Sequence, residues 1–303
     1  MDQELIIVTG AFGYSGYYIT KRLLSMGKKV KTLVGRMNRV NPFGEHIEVM
    51  SYNFDNPAAL VENLRGATTL INTYWIRFPR KNITFKKAIE NSKLLIESAS
   101  KAGIRKIVQI SITNPSEESR LPYFHGKAVI EKTIIQSGLS YTILRPAVIF
   151  GDEGILINNI AWLLRRMPVF AIIGKGDYKL QPIYVEDLAE LAVQVAQNLN
   201  KEIIDAVGPE IFVYEDLVKL IARIIQSKAL VIHLPAWMVY YTSKLLDILV
   251  KDVMLTRDEI DGLMNNLLVS DKPPSGHTWL SEWLSAHAET IGASYLSEIK
   301  KHY

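Results

Sequence analysis

Short apolar runs alternate with segments of helical spacing through the first half of the chain. The run Leu5–Thr9 is apolar and rich in β-branched residues, as expected for a parallel strand buried on both faces. Similar runs predict strands at Leu5–Thr9, Val30–Val34, Ile47–Tyr52, Thr68–Asn72, Lys106–Ile110 and Tyr141–Leu144. Because strands that alternate with helices form right-handed βαβ units, the pattern predicts an α/β fold with a doubly wound parallel sheet of the Rossmann type.

Polar residues and glycines mark where the predicted helices begin and end. Asn56-Pro57 is typical of an N-cap followed by proline at the first helical position. Gly27 and Gly66 stand where helices should terminate in a left-handed residue. A further helix is predicted from about Pro122 to Gly138.

The alternation loosens beyond Gly151. Short strands are predicted near Val169–Ile173, Ile203–Val207 and Leu230–His233, with helices between them. The segment Thr256-Arg-Asp-Glu259 is typical of a capping box that opens a helix. The last fifty residues are predicted to be helical throughout.

A glycine-rich loop follows the first predicted strand and opens the first helix. Gly10 permits a tight turn, Gly13 lets backbone N–H groups approach a pyrophosphate, and Gly16 lets the helix pack close to the strand. The free N–H groups and the dipole of a helix N-terminus favour an anion there. Phe12 and Tyr14 lie between these glycines and are expected to contact the same ligand. The alternative is a glycine-rich turn that binds nothing.

The glycine-rich loop indicates that the first half of the chain binds a dinucleotide. Residues 1–150 are predicted to form a dinucleotide-binding Rossmann domain. Residues 151–303 are predicted to form a smaller, mostly helical lobe for substrate binding. A helix near residues 187–198 is expected to return to the first domain.

The glycine spacing is G-x-x-G-x-x-G, which resembles the extended and atypical short-chain dehydrogenases/reductases. The second strand ends in Val34-Gly35-Arg36, and no acid occurs between Gly16 and Glu45. Proteins that bind NAD carry an acid about 20 residues after the glycines, whereas an arginine guanidinium can bind the 2′-phosphate of NADP. NADP is therefore the expected cofactor, and NAD is the alternative if Arg36 is only a solvated loop residue.

The predicted helix after strand five carries the candidate chemistry. Tyr123 and Lys127 are four residues apart, so they share one helical face. A tyrosine beside an ammonium group can donate a proton to a carbonyl oxygen, because the cation lowers the phenol pKa. The resemblance implies that Lys127 also holds the nicotinamide ribose and that Thr113, with Ser111 in reserve, orients the substrate oxygen. The alternative is an exposed tyrosine and a solvated lysine.

The resemblance covers roughly residues 5–220 and implies further contacts with the cofactor. It places Thr73 at the cofactor, Pro146 along the nicotinamide and Asp55 at the adenine. Asp55 is equally suited to cap the helix that begins after it. Within the superfamily the chain is most similar to the NmrA-like branch and to the nucleotide-binding accessory subunits of respiratory complex I.

Composition and charge narrow the function classes. The 303 residues contain no cysteine, which excludes thiolate catalysis, cysteine-held metals and disulfides. The six histidines show no metal-binding spacing, so no metal is expected. Residues 1–110 carry a net charge of +9 and the rest −5. The net positive charge of residues 1–110 would attract a small polyanion, a nucleic acid or an anionic membrane. The alternative is a set of scattered lysines that only keep the protein soluble.

The expected partner is a small molecule of unknown identity rather than a nucleic acid. No transmembrane segment is predicted, and a cytoplasmic location is expected. Trp237, Tyr240, Tyr241 and Leu245 form an amphipathic stripe in the C-terminal part. This stripe is typical of core packing, and the alternatives are a lobe interface, a protein partner or a peripheral membrane contact.

Three functions are compatible with these residues. The first is an NADPH-dependent oxidoreductase that transfers hydride to a carbonyl-type carbon. The second is a non-catalytic NADP(H)-binding sensor, accessory or assembly protein. The third is an NAD-dependent epimerase or dehydratase acting on a nucleotide sugar, which Arg36 disfavours.

Overall fold

A computed structural model describes residues 4–80, 82–254 and 256–299 of the chain. The strands are β1 (Leu5–Thr9), β2 (Lys29–Val34), β3 (Ile47–Ser51), β4 (Thr69–Asn72), β5 (Lys106–Ile110), β6 (Ser140–Pro146), β7 (Ile149–Phe150), β8 (Val169–Ile173), β9 (Lys179–Leu180), β10 (Ile183–Tyr184), β11 (Glu202–Ala206), β12 (Phe212–Val213) and β13 (Leu230–Leu234). The helices are α1 (Tyr14–Ser25), α2 (Pro57–Leu64), α3 (Phe85–Lys101), α4 (Pro122–Gln136), α5 (Ile155–Arg166), α6 (Val185–Ala196), α7 (Tyr214–Ile224), α8 (Ala236–Val250), α9 (Arg257–Met264) and α10 (Leu280–Ala286). A 3-10 turn at Gly44–His46 precedes β3.

Seven strands form one sheet in the order β11-β6-β5-β4-β1-β2-β3. Strands β3, β2, β1, β4, β5 and β6 run parallel to their neighbours. The strand order reverses between β1 and β4, so the connections after these strands leave in opposite directions. The predicted doubly wound Rossmann-type sheet is confirmed, and this reversal is where such sheets bind ligands, outside the carboxyl ends of the strands.

Apolar strand residues hold helices against the sheet. Ile7, Leu70 and Ile107 are completely buried at the centre of three neighbouring strands. They belong to one core cluster with Leu95 of α3 and Ile130 of α4. Burial of Ile130 in this cluster holds α4 against the sheet, and α4 carries the candidate catalytic residues.

Local signals at the helix ends act as the sequence predicts. The Asn56 side chain accepts a hydrogen bond from the Ala59 N–H and caps α2, with proline next to it. Gly27 has a φ of +71° directly after α1, where a residue with a Cβ would be strained. Thr256 and Glu259 form the predicted capping box at the start of α9.

The described residues group into two compact units. The first unit runs up to Arg145 and includes Glu186–Ile204, so α6 groups with the seven-stranded sheet. The second unit contains Pro146–Val185 and the chain from Asp205 onward. It consists mainly of helices and pairs of short strands around a core that includes Phe150, Leu217 and Leu284.

The prediction that the last fifty residues are wholly helical is wrong. The helices α9 and α10 are separated by turns and irregular structure over residues 265–279. Asn266 has a φ of +54° just after α9, and Pro273-Pro274 lacks the N–H groups that a helix requires.

Two kinds of feature are absent from the described residues. Among them, no helix combines the length and apolar character needed to cross a bilayer. Over the same residues, no group of three or more histidines or acids is placed to hold a metal ion.

Candidate functional site

A chain of buried side-chain hydrogen bonds joins the carboxyl ends of three neighbouring strands. Thr9 Oγ1 donates to Asn72 Oδ1 over 2.8 Å, and Asn72 Nδ2 donates to Gln109 Oε1 over 2.7 Å. Gln109 Nε2 then donates to the Ile110 carbonyl at 2.8 Å. Thr9, Asn72 and Gln109 are each at most 1% exposed. The loops that leave β1, β4 and β5 therefore start from fixed positions.

The turn after β1 is shaped by contact with the residue after β4. Thr73 N donates to Thr9 Oγ1 at 2.7 Å, and Thr73 Oγ1 donates to the Thr9 carbonyl at 2.6 Å. Gly10 has a φ of +66°, and a Cβ there would lie 3.0 Å from Thr73 Oγ1. Glycine is thus favoured at position 10 by both conformation and space, and Thr73 lies directly at the loop.

The start of α1 fits the phosphates of a dinucleotide. A Cβ on Gly16 would lie 2.2 Å from the Gly10 carbonyl oxygen, so glycine alone lets the helix pack this closely on the loop. Gly13 is the N-cap residue and supplies no side-chain cap, and the first turn carries no acid. The backbone N–H groups of this turn and the helix dipole suit an anion. Phe12 and Tyr14 of the same loop are half-buried.

Two arginines, Arg36 and Arg39, follow β2 at the position where an NAD-binding protein carries an acid. Arg36 is exposed and Arg39 is half-buried. Burial lowers the pKa of Arg39, and the positive charge of Arg36 lowers it further. Two guanidinium groups that repel each other favour an anion beside them.

Asp55 lies after β3 and is exposed. Its neighbour Asn56 makes the cap of α2, so the alternative that Asp55 caps this helix is wrong. The carboxylate of Asp55 is therefore not committed to the helix start.

Lys127 brings its amine to the carboxyl end of β5. Its Nζ donates to the Ile110 carbonyl at 2.9 Å, the same oxygen that Gln109 reaches, and the residue is only 3% exposed. Tyr123 stands one turn earlier on α4 and is half-buried. Lys127 Nζ lies 6.0 Å from the centre of the Tyr123 ring, so the predicted pair shares one face of the helix.

The surroundings of Lys127 tune its charge. Burial lowers the pKa of its amine to about 7, and the negative charge of Glu131 works in the opposite direction. Glu131 is itself buried and accepts hydrogen bonds from Arg145 Nε at 3.1 Å and from Arg145 Nη2. Tyr123, Lys127 and Glu131 thus recur at four-residue steps. Glu131 was not among the predicted site residues, although its spacing from Lys127 is visible in the sequence.

The two predicted hydroxyl residues after β5 have different surroundings. Ser111 is buried, and its Oγ donates to Glu131 Oε1, so this hydroxyl supports the carboxylate beside Lys127. Thr113 is 1% exposed and follows the end of the strand. Pro146 is buried at the last position of β6.

Trp75 packs against α4 beside the Tyr123/Lys127 pair. A Cβ on Gly126 would lie 2.6 Å from Trp75 Cη2, so the helix has a glycine where the indole ring touches it. The ring centre lies 5.1 Å from Lys127 Nζ and 5.9 Å from the Tyr123 ring. Trp75 Nε1 is buried with no hydrogen-bond partner among the described residues, which suits an acceptor atom of a ligand.

Comparison with known proteins gives a family and several relatives. The profile of the NAD dependent epimerase/dehydratase family matches residues 6–207, two thirds of the chain. A similar curated protein is the NADH dehydrogenase [ubiquinone] 1 alpha subcomplex subunit 9, mitochondrial, of Arabidopsis thaliana. It is 24% identical over 284 residues, which are 87% of this chain and 70% of that protein. The photosystem II assembly factor Ycf39 of Guillardia theta is 27% identical over 235 residues, covering 76% of this chain and 73% of that one.

Solved structures share the fold at low sequence identity. The Citrobacter sp. triphenylmethane reductase complexed with NADP(H) has a TM-score of 0.74 and 17% identity, and the match covers 93% of this chain and 99% of that one. MoeE5 in complex with UDP-glucose and NAD has a TM-score of 0.64 and 19% identity over 76% of this chain and 85% of that one. At these identities the likeness concerns the fold alone.

Lys127 should make the stability of the folded chain depend on pH. Its pKa is about 7 when folded, against the usual 10.5 when unfolded. Between these values the unfolded state binds more protons at this site, so stability should rise with pH, by up to about 1.4 kcal/mol per pH unit. Denaturant unfolding near pH 7 and near pH 9 measures this. A Lys127→Met variant should lack this contribution, and equal pH slopes in the parent and the variant would contradict the burial effect.

Proposed function

The chain belongs to the NAD dependent epimerase/dehydratase family, and we propose that it is an oxidoreductase that favours NADPH and reduces a small carbonyl-type substrate. One observation carries this proposal. The glycine loop after β1 and the Tyr123/Lys127 pair of α4 both lie at the carboxyl edge of the same sheet. An anion site and a proton donor with a neighbouring amine are the parts that hydride transfer to a carbonyl requires.

Each residue of this constellation has a distinct task in the reduction. When bound, NADPH supplies the hydride that adds to the carbonyl carbon. Tyr123 donates its phenolic proton to the carbonyl oxygen, and the positive charge of Lys127 stabilises the phenolate that remains. Lys127 also binds the nicotinamide ribose, while Thr113 orients the substrate oxygen. The hydrogen bond from Lys127 to Ile110 keeps the amine in place.

The environment of Lys127 sets the conditions for this chemistry. Burial lowers the pKa of the amine from its usual value to about 7, so nearby charges influence its protonation near neutral pH. The negative charge of a bound dinucleotide would favour the protonated form, as Glu131 already does. Arg145 and Ser111 hold the Glu131 carboxylate in position, so they act on Lys127 indirectly.

The preference for NADPH rests on Arg36 and Arg39. No acid occurs between Gly16 and Glu45, and both arginines follow β2, the strand after which proteins of this fold bind the 2′ group of the adenosine ribose. The triphenylmethane reductase of similar fold was solved with NADP(H), whereas MoeE5 was solved with NAD. The charges after β2 favour the first of these cofactors.

A non-catalytic role is the second candidate. It is favoured by the names of two relatives, a subunit of NADH dehydrogenase and a photosystem assembly factor. In that case the Tyr123/Lys127 pair would serve as a cofactor clamp. The third candidate, an epimerase or dehydratase of nucleotide sugars, agrees with the family name but not with Arg36 at the end of β2.

Arg36→Asp should weaken the binding of NADPH far more than that of NADH. The change replaces a partner of the 2′-phosphate by a repelling charge, and we expect a loss of about 10- to 100-fold for NADPH. Calorimetric titration with each dinucleotide measures both affinities. Arg65→Asp is the matched control, because Arg65 is an exposed arginine on which the same charge change should leave both affinities unaltered. Equal losses for NADPH and NADH in Arg36→Asp would remove Arg36 from this role.

Tyr123→Phe should abolish most of the turnover and leave NADPH binding intact. The variant loses only the hydroxyl, and loss of a general acid typically lowers the rate by about 10²–10⁴-fold. A panel of aldehydes and ketones, followed by NADPH oxidation, first identifies a substrate. Tyr141→Phe, a half-buried tyrosine on β6, is the control and should keep the parent rate.

Two outcomes would overturn the catalytic assignment. Parent-like turnover by Tyr123→Phe would show that another group donates the proton. Tight binding of NADPH that raises the thermal midpoint, without oxidation by any substrate of the panel, would favour the non-catalytic candidate.

A further inference from the structure

One face of the two-stranded sheet β13–β8 is apolar and only partly covered. Side chains alternate across a strand, so residues two apart share a face. From the parallel register, this face carries Val169, Ala171 and Ile173 of β8 with Leu230, Ile232 and Leu234 of β13. Helix α8 covers one end of it, where Ile173 packs against Val239 beside Ala171 and Leu234. At the other end Val169, Leu230 and Ile232 remain 41%, 68% and 37% exposed.

Helix α8 adds large aromatic side chains to the surface on its outward side. Its inward side buries Val239 and Ser243, which are 7% and 5% exposed. One turn apart on the opposite side, Trp237 is 64% exposed and Tyr241 is 59% exposed. Surface helices usually bury their apolar side chains and expose their polar ones, whereas α8 buries Ser243 and exposes Trp237. The predicted stripe therefore divides, with Tyr240 packed inward and two rings outward. The Leu245 side chain lies outside the described part of the structure.

The exposed charges along this segment are positive. Lys228 precedes β13 and Lys251 follows α8, and both are exposed. Asp247 accepts hydrogen bonds from Lys244 Nζ and from the Met254 N–H, each at 2.7 Å. The side chain of Asp247 is only 14% exposed.

The next acid along the chain is also turned inward. Asp252 is 4% exposed and accepts hydrogen bonds from the backbone N–H groups of Glu298 and Ile299. Helix α9, which carries further acids, contacts the inward side of α8 through Ile260. From Lys228 to Asp252, the charges presented outward come from lysine.

We propose that this surface, defined by Val169, Leu230, Ile232, Trp237 and Tyr241, docks the protein on an anionic lipid bilayer. Tryptophan and tyrosine prefer the headgroup level of a membrane, where the ring is in apolar surroundings and the polar group stays hydrated. The exposed aliphatic residues at the uncovered end of the β13–β8 face add apolar area that would enter the acyl boundary.

The flanking lysines explain the preference for anionic lipid. Lys228 and Lys251 stand at the two ends of the segment and would lie over lipid phosphates, with their apolar stems along the surface. The contact is peripheral, since it uses the outward side of one helix and part of a sheet face. It does not depend on the proposed reductase activity, because every residue involved lies outside the dinucleotide site.

Co-sedimentation of the full chain with vesicles tests the docking. Vesicles of phosphatidylcholine with phosphatidylglycerol should bind the protein more strongly than vesicles of phosphatidylcholine alone, and added salt should weaken the difference. The double variant Trp237→Ser/Tyr241→Ser should lose about tenfold or more in partition. Trp279→Ser is the matched control, because Trp279 is also an exposed tryptophan, at 48%, outside this surface. It should bind vesicles as the parent does.

A second variant tests the charge. Lys228→Ala/Lys251→Ala should lower the partition onto anionic vesicles by about tenfold and leave the weak partition onto neutral vesicles unchanged. NADPH titration and the thermal midpoint verify that each variant is folded, since all the altered side chains are exposed.

Three results would overturn the proposal. The first is a parent protein that stays in the supernatant with both kinds of vesicle. The second is a Trp237→Ser/Tyr241→Ser variant that binds as well as the parent. The third is a parent that elutes as a dimer which this variant converts to monomer, because the surface would then join two copies of the chain.

Discussion

The hydrogen bonds of Asn72 connect the ends of three strands, and the geometry of the candidate site depends on them. Asn72 accepts from Thr9 on one side and donates to Gln109 on the other, with all three side chains buried. An amide can bridge in this way because it carries both an acceptor and donors. Breaking one link would leave a buried polar group unsatisfied, which is costly in a low dielectric. The turn at Gly10 and the carbonyl that holds Lys127 are both set by this chain of bonds.

Burial holds the side chains of the candidate site in place and also shifts the pKa of the Lys127 amine. Lys127 lies in apolar surroundings against the Trp75 ring, and this environment lowers the pKa of its amine. A carboxylate one turn further along α4 opposes that shift, and Arg145 keeps the carboxylate in place. Burial and the Glu131 carboxylate therefore act on the pKa of Lys127 in opposite directions, and a strongly shifted pKa of this kind is typical of groups at functional sites.

Much of the fold was predictable from the sequence because its signals are local. Strands buried on both faces read as apolar runs, and the doubly wound sheet that they predict is confirmed. The glycines at positions 10 and 16 were expected from their spacing, and the structure supplies the physical reason in the close approach of the loop to Thr73 and to α1. Asn56 rather than Asp55 caps α2, although both are common capping residues, because only one of them stands directly before the first helical residue.

The remaining features depend on contacts between distant parts of the chain. The Trp75 ring packs against α4 at Gly126, where a Cβ would clash with it, and no local sequence pattern predicts this contact. The pairing of Glu131 with Arg145 joins a helix to a neighbouring strand and is invisible to local patterns. The interruption of the helices in the last fifty residues has a local cause, since Pro273-Pro274 lacks the N–H groups that a helix requires and is visible in the sequence.

A crystal structure of the full chain grown with saturating NADPH would test the central claim most directly. The account predicts density for the pyrophosphate against the loop from Gly10 to Gly16, with a ribose hydroxyl at hydrogen-bond distance from Lys127 Nζ. A dinucleotide bound elsewhere, or an ordered loop with no dinucleotide beside it, would contradict the assignment of this edge of the sheet.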